Sequence, residues 1–140
     1  MSEDISARCN AIEGCYEFML AYAGKGFTGG EGSQSSTQVR DYLKRAVTAL
    51  SGIETAYAAA FEKTNPQPSE AYRGFLAVLG SDARNALAAI QLVLAQGTLS
   101  SQLIDNLNAS IHLRALLTDL FLVDEILKPR QTQAQSVTTG

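Results

Sequence analysis

Four polar side chains in the most apolar stretch of the chain, residues 99–127, are the first candidates for chemistry: Asp105, Asn108, His112 and Asp119. They are spaced by three, four and seven residues, and a continuous helix turning about 100° per residue carries such spacings on one face. His112 is the only histidine. Beside two carboxylates it has the makings of an acid–base residue, a metal ligand or a phospho-acceptor. It equally suits an imidazole held in one tautomer within a helix contact, which is the reading a chain with a single histidine favours.

Other reactive groups are sparser. Glu13 and Glu17 form a carboxylate pair four residues apart that, with His112, could hold one metal ion, but such a pair more often faces solvent. Cys9 and Cys15 lie six residues apart on one expected helix, roughly 120° apart around it, so they are poorly placed to pair with each other. Cys9 falls on the apolar side and reads as a small core residue, whereas Cys15 is expected to be the more exposed. Lys25 sits among glycines, yet the phosphate-binding pattern GxxxxGK[ST] is missing and the loop follows a helix rather than a strand. No nucleophile–base pair, metal set or phosphate loop can be assembled at specific spacing, so no catalytic, cofactor or metal residues are assigned and an enzyme ranks below a binding protein.

Two helical families share parts of this pattern. Di-iron carboxylate bundles are similar in length and helix count, but their Glu-x-x-His pair is replaced here by Ala109 three residues before His112. Around His112 the chain reads Ser-Ile-His-Leu-Arg-Ala-Leu, which resembles the His-x-Leu-Lys-Gly run of histidine phosphotransfer domains with one residue missing. That resemblance implies a four-helix signalling domain with an exposed mid-helix histidine. The missing residue turns the basic side chain by about 100° away from the phosphate position. Asp105 and Asp119 would also repel a phosphate.

The elements that must position these groups follow from apolar periodicity. A first helix is expected over residues 4–23 from Ile5, Cys9, Ile12, Tyr16, Met19 and Ala23. Residues 24–36, with Gly24, Gly26, Gly29, Gly30 and Gly32, read as a loop, either a mobile linker or a lid. A second helix over residues 36–63 carries Val39, Leu43, Val47, Leu50, Ile53, Tyr57 and Phe61 inward, and Asn65-Pro-Gln-Pro stops it. The third spans residues 70–96, with a kink expected at Gly80-Ser-Asp and an end at Gly97. Thr98 or Ser100 opens the fourth, residues 99–127. Its core face is expected to include Leu103, Ile104, Leu107, Ile111, Leu113, Leu116, Leu117, Leu120, Phe121 and Val123, with the remaining aromatic residues of the chain also mostly inward.

The expected fold is therefore all-α: an antiparallel four-helix bundle over residues 1–128, with a long Gly-rich loop between helices 1 and 2 and a frayed Gln/Ser/Thr-rich tail over residues 129–140. The short connections force helices 2, 3 and 4 to be antiparallel neighbours, and the long loop leaves the direction of helix 1 open.

Composition narrows the function classes. Hydrophobic residues make up 46% and charged residues 18%, a balance that buries a core rather than leaving the chain disordered. The formal charge of −3, with eleven scattered Lys and Arg, lacks the footprint of nucleic-acid binding. No run of 18 apolar residues and no signal-type amino terminus is present, so the expectation is a soluble cytoplasmic protein without membrane contact. Helix 4 carries more apolar surface than one core contact needs, because Leu122 and Ile126 widen its stripe beyond the usual ~100° arc. This points to a non-enzymatic binding or accessory module that self-associates through helix 4, a homodimer first, with another protein as a possible partner. The other reading is a ligand-binding or phosphotransfer-like bundle working through the Asp105, Asn108, His112 and Asp119 seam.

Overall fold

The computed structural model describes residues 3–27 and 33–127. Among them the chain is all-helical, without strands: α1 Glu3–Ala23, α2 Ser33–Leu50, α3 Ile53–Thr64, α4 Ser69–Leu94, α5 Ser101–Asn108 and α6 Ile111–Leu127. The tail expected over residues 129–140 and the centre of the glycine loop, residues 28–32, lie outside the described residues.

Six helices replace the expected four because two long apolar stretches are interrupted, the first without losing its phase and the second with a change of phase. The second expected helix breaks at Ser51 and Gly52, where Gly52 takes a left-handed φ of 86° that favours glycine. The carbonyls freed at the end of α2 are claimed by a side chain distant in sequence. One Arg8 nitrogen donates to the carbonyls of Ala49 at 2.9 Å and Ser51 at 2.7 Å, and its Nε meets Asp4 at 3.0 Å. A cation on unsatisfied helix-end carbonyls is favourable both as a hydrogen-bond donor and against the helix dipole. The fourth expected helix breaks at Ala109 and Ser110. Ser110 starts α6 by accepting the His112 amide on its Oγ at 3.1 Å, the usual service of an N-cap serine.

α4 runs unbroken from Ser69 to Leu94 through Gly80-Ser-Asp, where the sequence suggests an interruption. Gly80 is buried at a close approach: a Cβ there would collide with the Glu54 carboxylate of α3, which also pairs with Arg84 at 2.8 Å. The glycine thus lies under the end of a neighbouring side chain inside the helix instead of ending it. Ser100 caps α5 as expected, its Oγ accepting the Leu103 amide at 3.1 Å.

The contacts also settle the direction of α1. Arg8, near its start, lies at the end of α2, so α1 and α2 are antiparallel. At its other end, Tyr22 Oη donates to the Leu99 carbonyl at 2.5 Å, while buried Ser101 donates through Oγ to the Tyr22 carbonyl at 2.8 Å. Phe27 and Ser101 close this knot, the Phe27 amide donating to Ser101 Oγ and the Ser101 amide to the Phe27 carbonyl, both at 2.7 Å. Arg40, in the first half of α2, donates to the carbonyls of Leu94, Gln96 and Gly97 at the end of α4, while Leu50 at the end of α2 lies by Ala83 and Leu87 in mid-α4, so that pair is antiparallel too. The first turns of α4 in turn meet the last turns of α6, through Tyr72 and Phe75 beside Leu122 and Ile126.

Between these segments lies one continuous core. Ile5, Ile12 and Met19 of α1 join Val39 and Leu43 of α2, Ile53 and Tyr57 of α3, Leu79, Ala86 and Ile90 of α4, Ile104 of α5 and Leu116 of α6. Burying each larger side chain of this set is worth about 1.5–3 kcal/mol against leaving it in water. The cysteines reverse their expected environments: Cys15 is buried and Cys9 only half-buried, and both are free thiols.

Candidate interaction surface

The break at Ser110 divides the expected polar seam between two helices. Asp105 and Asn108 belong to α5, and His112 and Asp119 to α6, so no single helical face holds all four. Asp105 and His112 face solvent, whereas Asn108 and Asp119 are buried. The imidazole placed at a helix contact by the sequence is thus exposed. Among the described residues no group of three or more His, Cys, Asp and Glu side chains is arranged to hold a metal ion.

The restart at Ser110 also decides which side of α6 faces outward. Leu113, Leu116, Leu117, Leu120 and Val123 point into the core. On the opposite side, Ile111 is 75% exposed, Phe121 54%, Leu122 49% and Ile126 47%. Ile111 and Phe121 were expected inside. They lie outside because the inward stripe of α6 follows its own phase after Ser110. Arg114, Thr118 and Glu125 share this outer side, and half-buried Ala115 borders it.

The two flanks of that outer strip differ in chemistry. Towards α4, Leu122, Val123 and Ile126 form a groove with Phe61, Ala71, Tyr72 and Phe75, an almost wholly apolar hollow of about 310 Å³. Phe61 and Tyr72 meet edge to face at 5.4 Å and stiffen its wall. Towards α1, Phe121 and Asp124 share a polar cleft of about 260 Å³ with Ser6, Cys9, Asn10 and Glu13. The Cys9 thiol lies 3.5 Å from Tyr57 Oη. Burial pushes its pKa up and the Glu13 and Asp124 carboxylates add to the effect, against a smaller downward pull from the Tyr57 hydroxyl, so the reactive thiolate is disfavoured. Burial pushes the Cys15 thiol up to about 12. Tyr57 is raised as well, through burial first and its Cys9 contact second.

No family model, curated protein or solved structure matches the chain. Its surface is therefore read from its own chemistry.

Beneath the strip lies a feature missed at the level of sequence. Asp119 of α6 faces Asp82 of α4, and burial first, then the Asp82 carboxylate, raise the Asp119 carboxyl to about 7. Its buried Oδ2 has no hydrogen-bond partner among the described residues, and the same holds for Asn108 Oδ1. Two carboxyls facing each other favour sharing a proton over carrying two charges. Asp82 reads in the sequence only as a possible helix cap, and no local spacing connects it with a residue so far along the chain. Arg8 and Arg40 likewise look like ordinary solvated charges until the helix ends they serve are located. Among the described residues no helix is long and apolar enough to cross a membrane.

Proposed function

We propose that this chain is a non-enzymatic helical binding or accessory module that self-associates through α6, forming a homodimer in the cytoplasm. In this reading the six helices act as an antiparallel bundle of four segments, α1, α2 with α3, α4, and α5 with α6. The observation that carries the proposal is the outward apolar strip of α6, where Ile111, Phe121, Leu122 and Ile126 are each about half exposed or more. Single exposed apolar residues are ordinary. Four on the outer side of one helix, two of them lining the apolar hollow at Tyr72 and Phe75, expose more apolar surface than scattered single residues do, and such surface marks an interaction site. The free thiols of Cys9 and Cys15 suit a reducing compartment.

Sedimentation velocity over a concentration series tests the proposal. The expected result is a reversible dimer of the 14.9 kDa chain. Leu122→Asp is expected to weaken it by about a hundredfold, since a carboxylate would be desolvated at the contact, with the helical circular dichroism unchanged. A wild-type chain that stays monomeric up to millimolar concentration overturns the reading.

A further inference from the structure

We infer that two copies of this chain pair through antiparallel α6 helices, related by a two-fold axis close to Thr118, with Arg114 of each copy against Glu125 of the other. This rests on the self-association proposed above and adds its orientation and register. Along the outer side of α6 the order of side chains is Ile111, Arg114, Ala115, Thr118, Phe121, Leu122, Glu125 and Ile126. Laid antiparallel on itself, that order brings Arg114 opposite Glu125, Thr118 opposite Phe121, Ala115 opposite Leu122 and Ile111 opposite Ile126. A cation meets a carboxylate, a small side chain meets a large one at two levels, and the apolar ends meet each other. Two-fold symmetry makes every contact twice.

Geometry allows all of these contacts at once. Arg114 and Glu125 are eleven residues apart, which is within about 20° on the helix surface and about 16 Å along the axis. Both charges therefore lie on the same exposed crest as Thr118, flanked by Phe121 on one side and Leu122 on the other. The ion pairs formed within the chain among the described residues are Arg8 with Asp4 and Arg84 with Glu54, so Arg114 and Glu125 are not used there. A parallel pairing stacks Arg114 on Arg114, Glu125 on Glu125 and Phe121 on Phe121, which the charges oppose. An unrelated protein partner gives no reason for the strip to be complementary to its own reverse. Nor does the tail fit as occupant, because residues 130–140 are Gln, Ser and Thr rich, with Val137 the only large apolar side chain among them.

Charge reversal on the full-length chain tests the register. Arg114→Glu alone and Glu125→Arg alone each place like charges at both symmetric contacts, and each is expected to raise the dimer dissociation constant about tenfold or more at low salt. The double variant R114E/E125R is expected to restore wild-type affinity. An equimolar mixture of the two single variants is expected to form the mixed dimer in preference to either homodimer, resolved by mass in native mass spectrometry. Both positions of the test are on the solvent side, and circular dichroism of each variant checks that it is folded. A wild-type dimer whose affinity neither single reversal changes overturns the register and leaves the self-association standing. Single reversals that weaken the dimer without rescue in the double variant also overturn it. A monomeric wild type overturns both.

Discussion

The two ends of α1 and the outer side of α6 show opposite ways of finishing a helix surface. Around α1 three helix ends are closed by partners within the chain: Arg8 closes α2, Arg40 closes α4, and Tyr22, Phe27 and Ser101 lock the start of α5. Along α6 the outward face keeps apolar side chains in water, with charges between them that form no ion pair among the described residues. Hydrogen bonds that satisfy buried groups contribute to stability only through the folded chain, whereas exposed apolar area contributes when something covers it. The difference separates the part of the molecule that holds it together from the part available to a second molecule.

That separation can be broken by substitution, with urea unfolding and sedimentation read side by side. The largest effect on the chain itself is expected at Ser101→Ala, which removes a buried hydroxyl that both donates to Tyr22 and accepts from Phe27. The loss should be about 2–3 kcal/mol of unfolding free energy, with the affinity between copies unchanged among folded molecules. A cost below about 0.5 kcal/mol would show that the knot is not a main support.

Asp119→Asn sharpens the comparison because Asp119 lies between the core and the α6 strip. Its folded pKa of about 7 is above the ordinary 3.8, so the native state holds the proton more tightly than the unfolded chain does. Stability contributed by this group is complete below pH ~4, declines between about 4 and 7, and stays lost above 7. The asparagine variant should flatten that decline and exceed the wild type by about 1–3 kcal/mol at pH 8, because its amide can donate to Asp82 without a second charge. Urea titrations from pH 4 to 8 check this, and equal slopes for the two proteins would refute it.

Arg40→Ala should cost about 1–2 kcal/mol by releasing the carbonyls of Leu94, Gln96 and Gly97 at the end of α4. His112→Ala is expected to do least, within about 0.5 kcal/mol in unfolding and with no change in association, since the ring is exposed. A large effect there on either readout would return His112 to the centre of the functional account.

What was legible in the sequence was mainly what repeats. The stripes through Ile5, Ile12 and Met19, and through Leu79, Ala83, Ala86 and Ile90, announce helices and their buried sides, and the structure buries them. The breaks were hidden for the same reason: Leu50, Ile53 and Tyr57 keep helical spacing across Gly52, and no glycine or proline marks the interruption before Ser110. Gly80 shows the converse, a residue that reads as a breaker but serves a contact with Glu54. The apolar excess of α6 was visible at Leu122 and Ile126, while the outward turn of Ile111 and Phe121 depended on the unseen break. Asp82 opposite Asp119 was illegible because only tertiary packing brings two distant helices together.

The knot at Ser101 has a further consequence for the time course of synthesis. Its hydrogen bonds join positions separated by 77, 79 and 74 residues. A ribosome must therefore release Leu99 and Ser101 before α1 can be fastened at its far end. Until then the face of α1 bearing Ile5, Ile12 and Met19 is covered at best by α2 and α3, and the gap on the α5 side stays open to water. Contacts of such long range slow folding. The nascent chain consequently passes through a stage in which α1 is packed on α2 and α3 but still waits for α5.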